Sequence, residues 1–147
     1  MKPLTLTLAA ILTFAAPSAF AADADDLIKY RKNVMKAVGG STQAIAAVLK
    51  GEAGRKEDLP ALTAILAAAS DPALVNAAFQ PNTDGQGVEK TTSTADIWGK
   101  WDDFTAISTK LGEATKAAAA KGADLSFADM KPVFAQCKAC HDGFRQK

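Results

Sequence analysis

The sequence predicts an all-α protein, an antiparallel four-helix bundle in a single domain. Three observations carry this. Alanine is abundant, aromatic residues make up only 7% of the chain, and β-branched residues rarely cluster, a composition that favours close-packed helices over a sheet. Apolar positions recur at alternating spacings of four and three over long segments. Four such segments follow one another with mostly short connections, which makes neighbours antiparallel. The formal charge of +1, from 17 basic and 16 acidic residues, leaves no basic footprint for nucleic acid.

The first helix is predicted from about Asp26 to Lys50, on the stripe Leu27, Arg31, Val34, Val38, Ser41, Ile45 and Val48. Gly39-Gly40 costs roughly 1 kcal/mol per glycine against alanine, so the pair marks a kink or a place where another group approaches the backbone. A second helix is predicted to start with Asp58 as N-cap and Pro60 in the first turn. Ser70-Asp71-Pro72 then either kinks it or begins a short helix towards Phe79. From Gln80 to Ser93 the chain is too polar and too broken to pack, and reads as the one long loop. The stripe Ile97, Trp101, Phe104, Ser108, Leu111, Thr115 and Ala118 predicts a long third helix ending near Gly122. The last helix carries Val133, Phe134, Cys137, Cys140, His141 and Phe144, with Asp129 as its expected cap, which puts Pro132 within the first turn, and Ser126 as the alternative. Capping by Ser126 would leave Pro132 inside the helix and bend it.

Ahead of these elements, residues 1–21 read as a secretory signal peptide: Lys2, an apolar run from Leu4 to Ala16, and Ala19-Phe20-Ala21 as the cleavage site. The apolar run is shorter than the ~20 residues that cross a bilayer, so no membrane span is expected after cleavage. The domain is then 22–147, nearly neutral, and its expected location is the periplasm.

Cys137-Lys138-Ala139-Cys140-His141 is a C-x-x-C-H motif, built from both cysteines and the one histidine of the chain. Two thiols about one helical turn apart can each form a thioether to a haem vinyl group, with the adjacent imidazole on the iron. One covalent haem c is therefore expected, held through Cys137 and Cys140 with His141 as proximal ligand. A zinc site would want four ligands and finds three. A redox-active disulfide would be expected beside a βαβ pattern that the chain lacks.

Across the iron, methionine is the best remaining ligand. Met130 precedes His141 by 11 residues, ~16 Å along the same helix, and cannot easily reach the opposite face. Met35, from the first helix, can pack across the bundle, either as distal iron ligand or as an adaptable wall of the pocket. Arg31, one turn before Met35, needs an acid or solvent; a haem propionate is one partner, and a surface position over the apolar stripe is the other reading. Arg145 follows His141 by one turn and either influences the proximal side or is simply exposed. Trp98 and Trp101 either wall the haem or belong to the ordinary core.

Tyr30 to Met35, Ile97-Trp98 and Cys137 to Arg145 together make the chain resemble the class II c-type cytochromes, the family of cytochrome c′ and low-spin cytochrome c-556. The motif's C-terminal placement discriminates, since class I cytochromes c carry it near the N-terminus. The resemblance implies a four-helix bundle with Met35 distal and Arg31 near the propionates. It permits two branches. A low-spin, six-coordinate electron carrier with Met35 on the iron is the main expectation. The alternative is a high-spin, five-coordinate cytochrome c′ open to nitric oxide or carbon monoxide. Either is a haem protein rather than an enzyme, in keeping with the lack of a catalytic constellation of Ser, His and acid.

A redox partner with an acidic docking patch is expected to meet Lys131, Lys138, Arg145 and Lys147, because residues 121 to 147 hold five basic and three acidic side chains. An exposed Ala-rich helix face is compatible with a monomer or a homodimer.

Overall fold

The computed structural model describes residues 22–146, and the predicted signal peptide lies outside the described residues. The elements are six helices: α1 Ala24–Lys50, α2 Leu59–Ala69, α3 Pro72–Phe79, α4 Asp96–Gly99, α5 Trp101–Ala119 and α6 Phe127–Phe144. Short 3₁₀ turns at Lys56–Asp58 and Gly122–Asp124 lead into α2 and α6. The pairs α2–α3 and α4–α5 each act as one leg, giving the four-helix bundle that the periodicity predicts. Among the described residues no single helix is long and apolar enough to cross a membrane.

α1 begins where the Asp23 carboxylate accepts the Asp25 N–H at 3.3 Å, and ends at Gly51, whose φ of +72° is the left-handed turn that glycine adopts without steric cost. It runs unbroken through Gly39-Gly40, and a Cβ on either glycine would meet nothing within 4 Å. The predicted cap of α2 is different in the structure. Asp58 adopts helical backbone angles and turns its carboxylate back to accept the Arg55 N–H at 2.9 Å, so it serves the preceding 3₁₀ turn. At Ser70-Asp71-Pro72 the chain starts a new helix. Asp71 accepts the Ala73 N–H at 2.9 Å, and the axis turns by 42°. α3 is held close to α5 because Gly112 has no side chain; a Cβ there would meet Pro72 at 2.6 Å. The buried hydroxyls of Ser70 and Thr115 hydrogen-bond across the same contact at 2.9 Å.

The predicted third helix is broken at Lys100, whose φ of −128° and ψ of +46° leave the helical region. Hydrogen bonds span the break, from the Lys100 N–H to the Asp96 carbonyl at 2.8 Å and from the Phe104 N–H to the Lys100 carbonyl at 3.1 Å. The apolar phase therefore survives, and Ile97 and Phe104 are both core residues.

Ser126, and not the expected Asp129, caps α6, and the two form a capping box: the Ser126 hydroxyl accepts the Asp129 N–H, and the Asp129 carboxylate accepts the Ser126 N–H at 3.0 Å. Pro132 thus lies inside the helix, where its missing N–H removes one helical hydrogen bond. The Ser126 hydroxyl and N–H, helped by Lys121, hold the Asp129 carboxyl below the usual carboxylate range. A carboxyl lowered in the folded state stabilises above its unfolded value near 3.8 and loses that contribution as pH falls through the folded value. Replacing Ser126 with alanine is expected to cost about 1 kcal/mol at neutral pH. The gap between variant and wild type should narrow below pH 4 in thermal melts, because the Asp129 carboxylate is then protonated in both.

Candidate haem site

α6 delivers the motif on its last turns, at the end where α1 begins. The core divides there into two clusters. One holds Val38, Ile45, Leu59, Leu66, Met130 and Val133, with Cys137 against it. The other holds Val34, Phe79, Ile97, Phe104 and Phe144, with Cys140 against it. Met35, partly buried, touches both. α1 packs on α2, and α6 on α5, yet α1 and α6 barely touch each other. α1 and α6 are thus left apart along the fourth side of the bundle, a seam termed the crevice, with Met35 on its α1 side and the motif on its α6 side.

Cys137 and Cys140 are free and half-buried. Burial pushes the Cys137 thiol up, and burial together with the charge of Cys137 pushes Cys140 up to about 11. Both are thiols at neutral pH. A disulfide exchanger needs a cysteine with a depressed pKa, so these two lack the chemistry of that rival reading. His141 reaches solvent at the crevice edge. Partial burial of the ring, and then Arg145, lower its pKa from the ordinary 6.5, while Asp142 opposes them. At neutral pH the imidazole is uncharged, the form that donates a lone pair to a metal.

Arg31 is only 2% exposed and is not a surface arginine. Its guanidinium lies 5.6 Å from the Phe79 ring centre and 5.4 Å from that of Trp98. Trp98 is fixed in turn by its indole N–H, which donates to the Phe79 carbonyl at 2.9 Å. Arg31 Nη1 donates to the Pro81 carbonyl at 3.4 Å and Nη2 to Thr83 Oγ1, while Nε is buried without a partner. Among the described residues no carboxylate pairs with it, as the ion pairs all lie elsewhere. A buried cation facing neutral acceptors and two ring faces is costly without an anion.

Trp101 stacks on Phe104 at 5.4 Å. Arg145 is exposed and donates from Nε to Thr92 Oγ1 at 3.3 Å. Lys138 is ion-paired with Asp142, and Lys121 with Asp129 at 3.3 Å, so part of the basic excess of α6 is neutralised; Lys147 lies outside the described residues.

These residues fit a haem c. Two thiols and a neutral imidazole border an apolar crevice, and an orphaned guanidinium nitrogen supplies charge for an acidic substituent. Sequence reasoning missed Phe79, Pro81 and Thr83, which surround Arg31. Their contribution is one ring face, one carbonyl and one hydroxyl from a helix end and a loop, and no periodic pattern signals it.

The family model described as cytochrome C′ matches residues 26–145. A cytochrome c′ from Rhodopseudomonas palustris is 37% identical over 134 residues, with 88% of this chain and 88% of the relative covered. A cytochrome c-556 from Agrobacterium tumefaciens is 35% identical, covering 82% of this chain and 97% of the relative. Among solved structures, the nitric oxide complex of a cytochrome c′ variant from Alcaligenes xylosoxidans is similar with a TM-score of 0.71 and 27% identity, covering 86% of this chain and 98% of that one.

These findings overturn one expectation, the low-spin electron carrier with Met35 as second iron ligand. The matching family is cytochrome c′, and a solved relative holds nitric oxide. An iron held by protein ligands on both faces has no position left for such a molecule. Met35 accordingly figures in this site as a packed side chain between two apolar clusters.

Proposed function

Because the chain belongs to the cytochrome c′ family and carries that family's one covalent haem c, we propose that it is a high-spin, five-coordinate haem protein that binds nitric oxide or carbon monoxide. In this reading it is exported to the periplasm and is not an enzyme. The haem supplies an iron with one vacant axial position for a diatomic ligand. Cys137 and Cys140 would hold it through two thioethers. His141 would be the single protein ligand, through a ring that is neutral at physiological pH. Arg31, braced between Phe79 and Trp98, would neutralise a propionate.

The observation that carries the reading is the match to the cytochrome c′ family together with a relative solved with nitric oxide bound. Met35, packed against two apolar clusters of the core, would wall the pocket and exclude water without bonding to iron. Docking of a redox partner with an acidic patch has less support, since Lys138 is already paired with Asp142, which leaves Lys131 on α6 and Arg145 just beyond it to face such a patch.

The test is optical. Oxidised protein at neutral pH should show high-spin ferric features, and reduced protein should take up carbon monoxide. Met35→Leu conserves volume and should bind the gas like wild type. A methionine-to-iron charge-transfer band, lost in Met35→Leu, would overturn the reading.

A further inference from the structure

The loop between α3 and α4 is stitched to both borders of the crevice. On the α1 side, Asp25 Oδ1 accepts the Val88 N–H at 2.7 Å and the Glu89 N–H at 2.8 Å. Lys32 pairs with Glu89 and donates to the Lys90 carbonyl at 3.2 Å. Arg31 has both of its protein acceptors in the same loop, the Pro81 carbonyl and Thr83 Oγ1. On the α6 side, the Thr94 N–H donates to the Phe144 carbonyl at 3.0 Å, and the Gln146 N–H donates to the Thr92 carbonyl at 2.8 Å. Two helices that barely touch each other are thus joined, at the end where His141 and Arg31 lie, by one loop.

The α1 attachment depends on Gly87. Its φ is +73°, and a Cβ there would collide with Asp25 Oδ1. No other residue type could bring the backbone so close to the carboxylate.

We propose that residues 81–94 form a strap that closes this end of the crevice and holds Arg31 in its buried position, with Asp25 and Gly87 as positioning residues for the haem although neither touches it. The proposal rests on the reading of Arg31 as the propionate's counter-charge. A strap fixed by Asp25 keeps Pro81 and Thr83 under the guanidinium and water away from the haem edge. Loosening it would free Arg31 and hydrate that edge, both of which favour the ferric state and lower the reduction potential.

The experiment uses the haem-loaded protein as wild type, Asp25→Ala, Asp25→Asn, Gly87→Ala and Arg31→Met, with helix content and haem stain checked first. Amide hydrogen exchange across residues 81–94 and the reduction potential are measured for each. Asp25→Ala and Gly87→Ala, which open the same contact from opposite sides, should speed exchange of the loop amides by about tenfold or more, as expected for losing two hydrogen bonds. Both should lower the potential in the same direction as Arg31→Met. Asp25→Asn keeps an oxygen acceptor and should recover part of both effects. Adding Asp25→Ala to Arg31→Met should change the potential less than Asp25→Ala does alone.

Faster exchange with an unmoved potential, while Arg31→Met shifts it, would overturn the strap's role and leave the Arg31 reading intact. Unchanged exchange in both loop variants would overturn the role of Asp25. A potential indifferent to Arg31→Met would remove the premise, and the strap's role with it.

Discussion

A chain in which Cys137 and Cys140 are both replaced by serine is expected to carry no haem through denaturing electrophoresis, while the wild type keeps its haem stain. The effect is all-or-none because the bonds at stake are covalent. Thioethers survive denaturation, whereas a haem held only by His141 and apolar contacts is released with the fold. Each single replacement should retain the stain through the remaining thioether, with a shifted ferrous spectrum that reports an unreacted vinyl group. The two thiols are equivalent in chemistry and differ in setting: Cys140, pushed up to about 11, lies against the aromatic cluster, and Cys137 against the aliphatic one. Haem stain persisting in the double variant would show that the attachment lies elsewhere.

Replacing Phe104 with alanine is expected to cost about 3–5 kcal/mol, a large part of the 5–15 kcal/mol that stabilises a domain of this size. Phe104 is 2% exposed and is the hub of the aromatic cluster. Its ring centre lies 5.1 Å from Phe79, 5.4 Å from Trp101 and 5.4 Å from Phe144. The substitution therefore leaves a cavity that three rings on three helices cannot fill together. Phe144 follows Cys140 by one turn and Phe79 lies over Arg31, so the loss reaches both the attachment helix and the buried cation. Thermal melts should show a fall in Tm on the order of 10–20 °C. A change of only a few degrees would mean that the cluster collapses onto the gap, and that the haem rather than Phe104 organises this end of the bundle.

The chain's own pattern made the architecture legible. A four-and-three spacing states which side of a helix is apolar, and Ser126, the alternative to Asp129 as cap of the last helix, satisfies an N–H group within its own turn. Both are local signals, so they survive without knowledge of the rest of the molecule. Asp58 shows where such signals stop. Its carboxylate serves the 3₁₀ turn before α2, which periodicity does not reveal, and makes no cap bond to α2. The break at Lys100 was hidden for a related reason, because hydrogen bonds across it preserve the phase of the stripe.

The attachment chemistry belongs to the sequence alone. C-x-x-C-H places two thiols and an imidazole within one helical turn whatever surrounds them, and the lone histidine leaves no competitor. Where Met35 and Arg31 lie was decided by tertiary structure, because each had two readings that differ only in what lies opposite. A methionine on an apolar stripe looks the same whether it faces iron or two hydrophobic clusters. An arginine on that stripe looks the same whether it reaches water or lies under Phe79 and Trp98 with a loop carbonyl as acceptor. The partners of Arg31 lie 48 to 67 positions further along the chain, brought there by the packing of the bundle and the path of residues 81–94. Spacing along one helix carries no information about them.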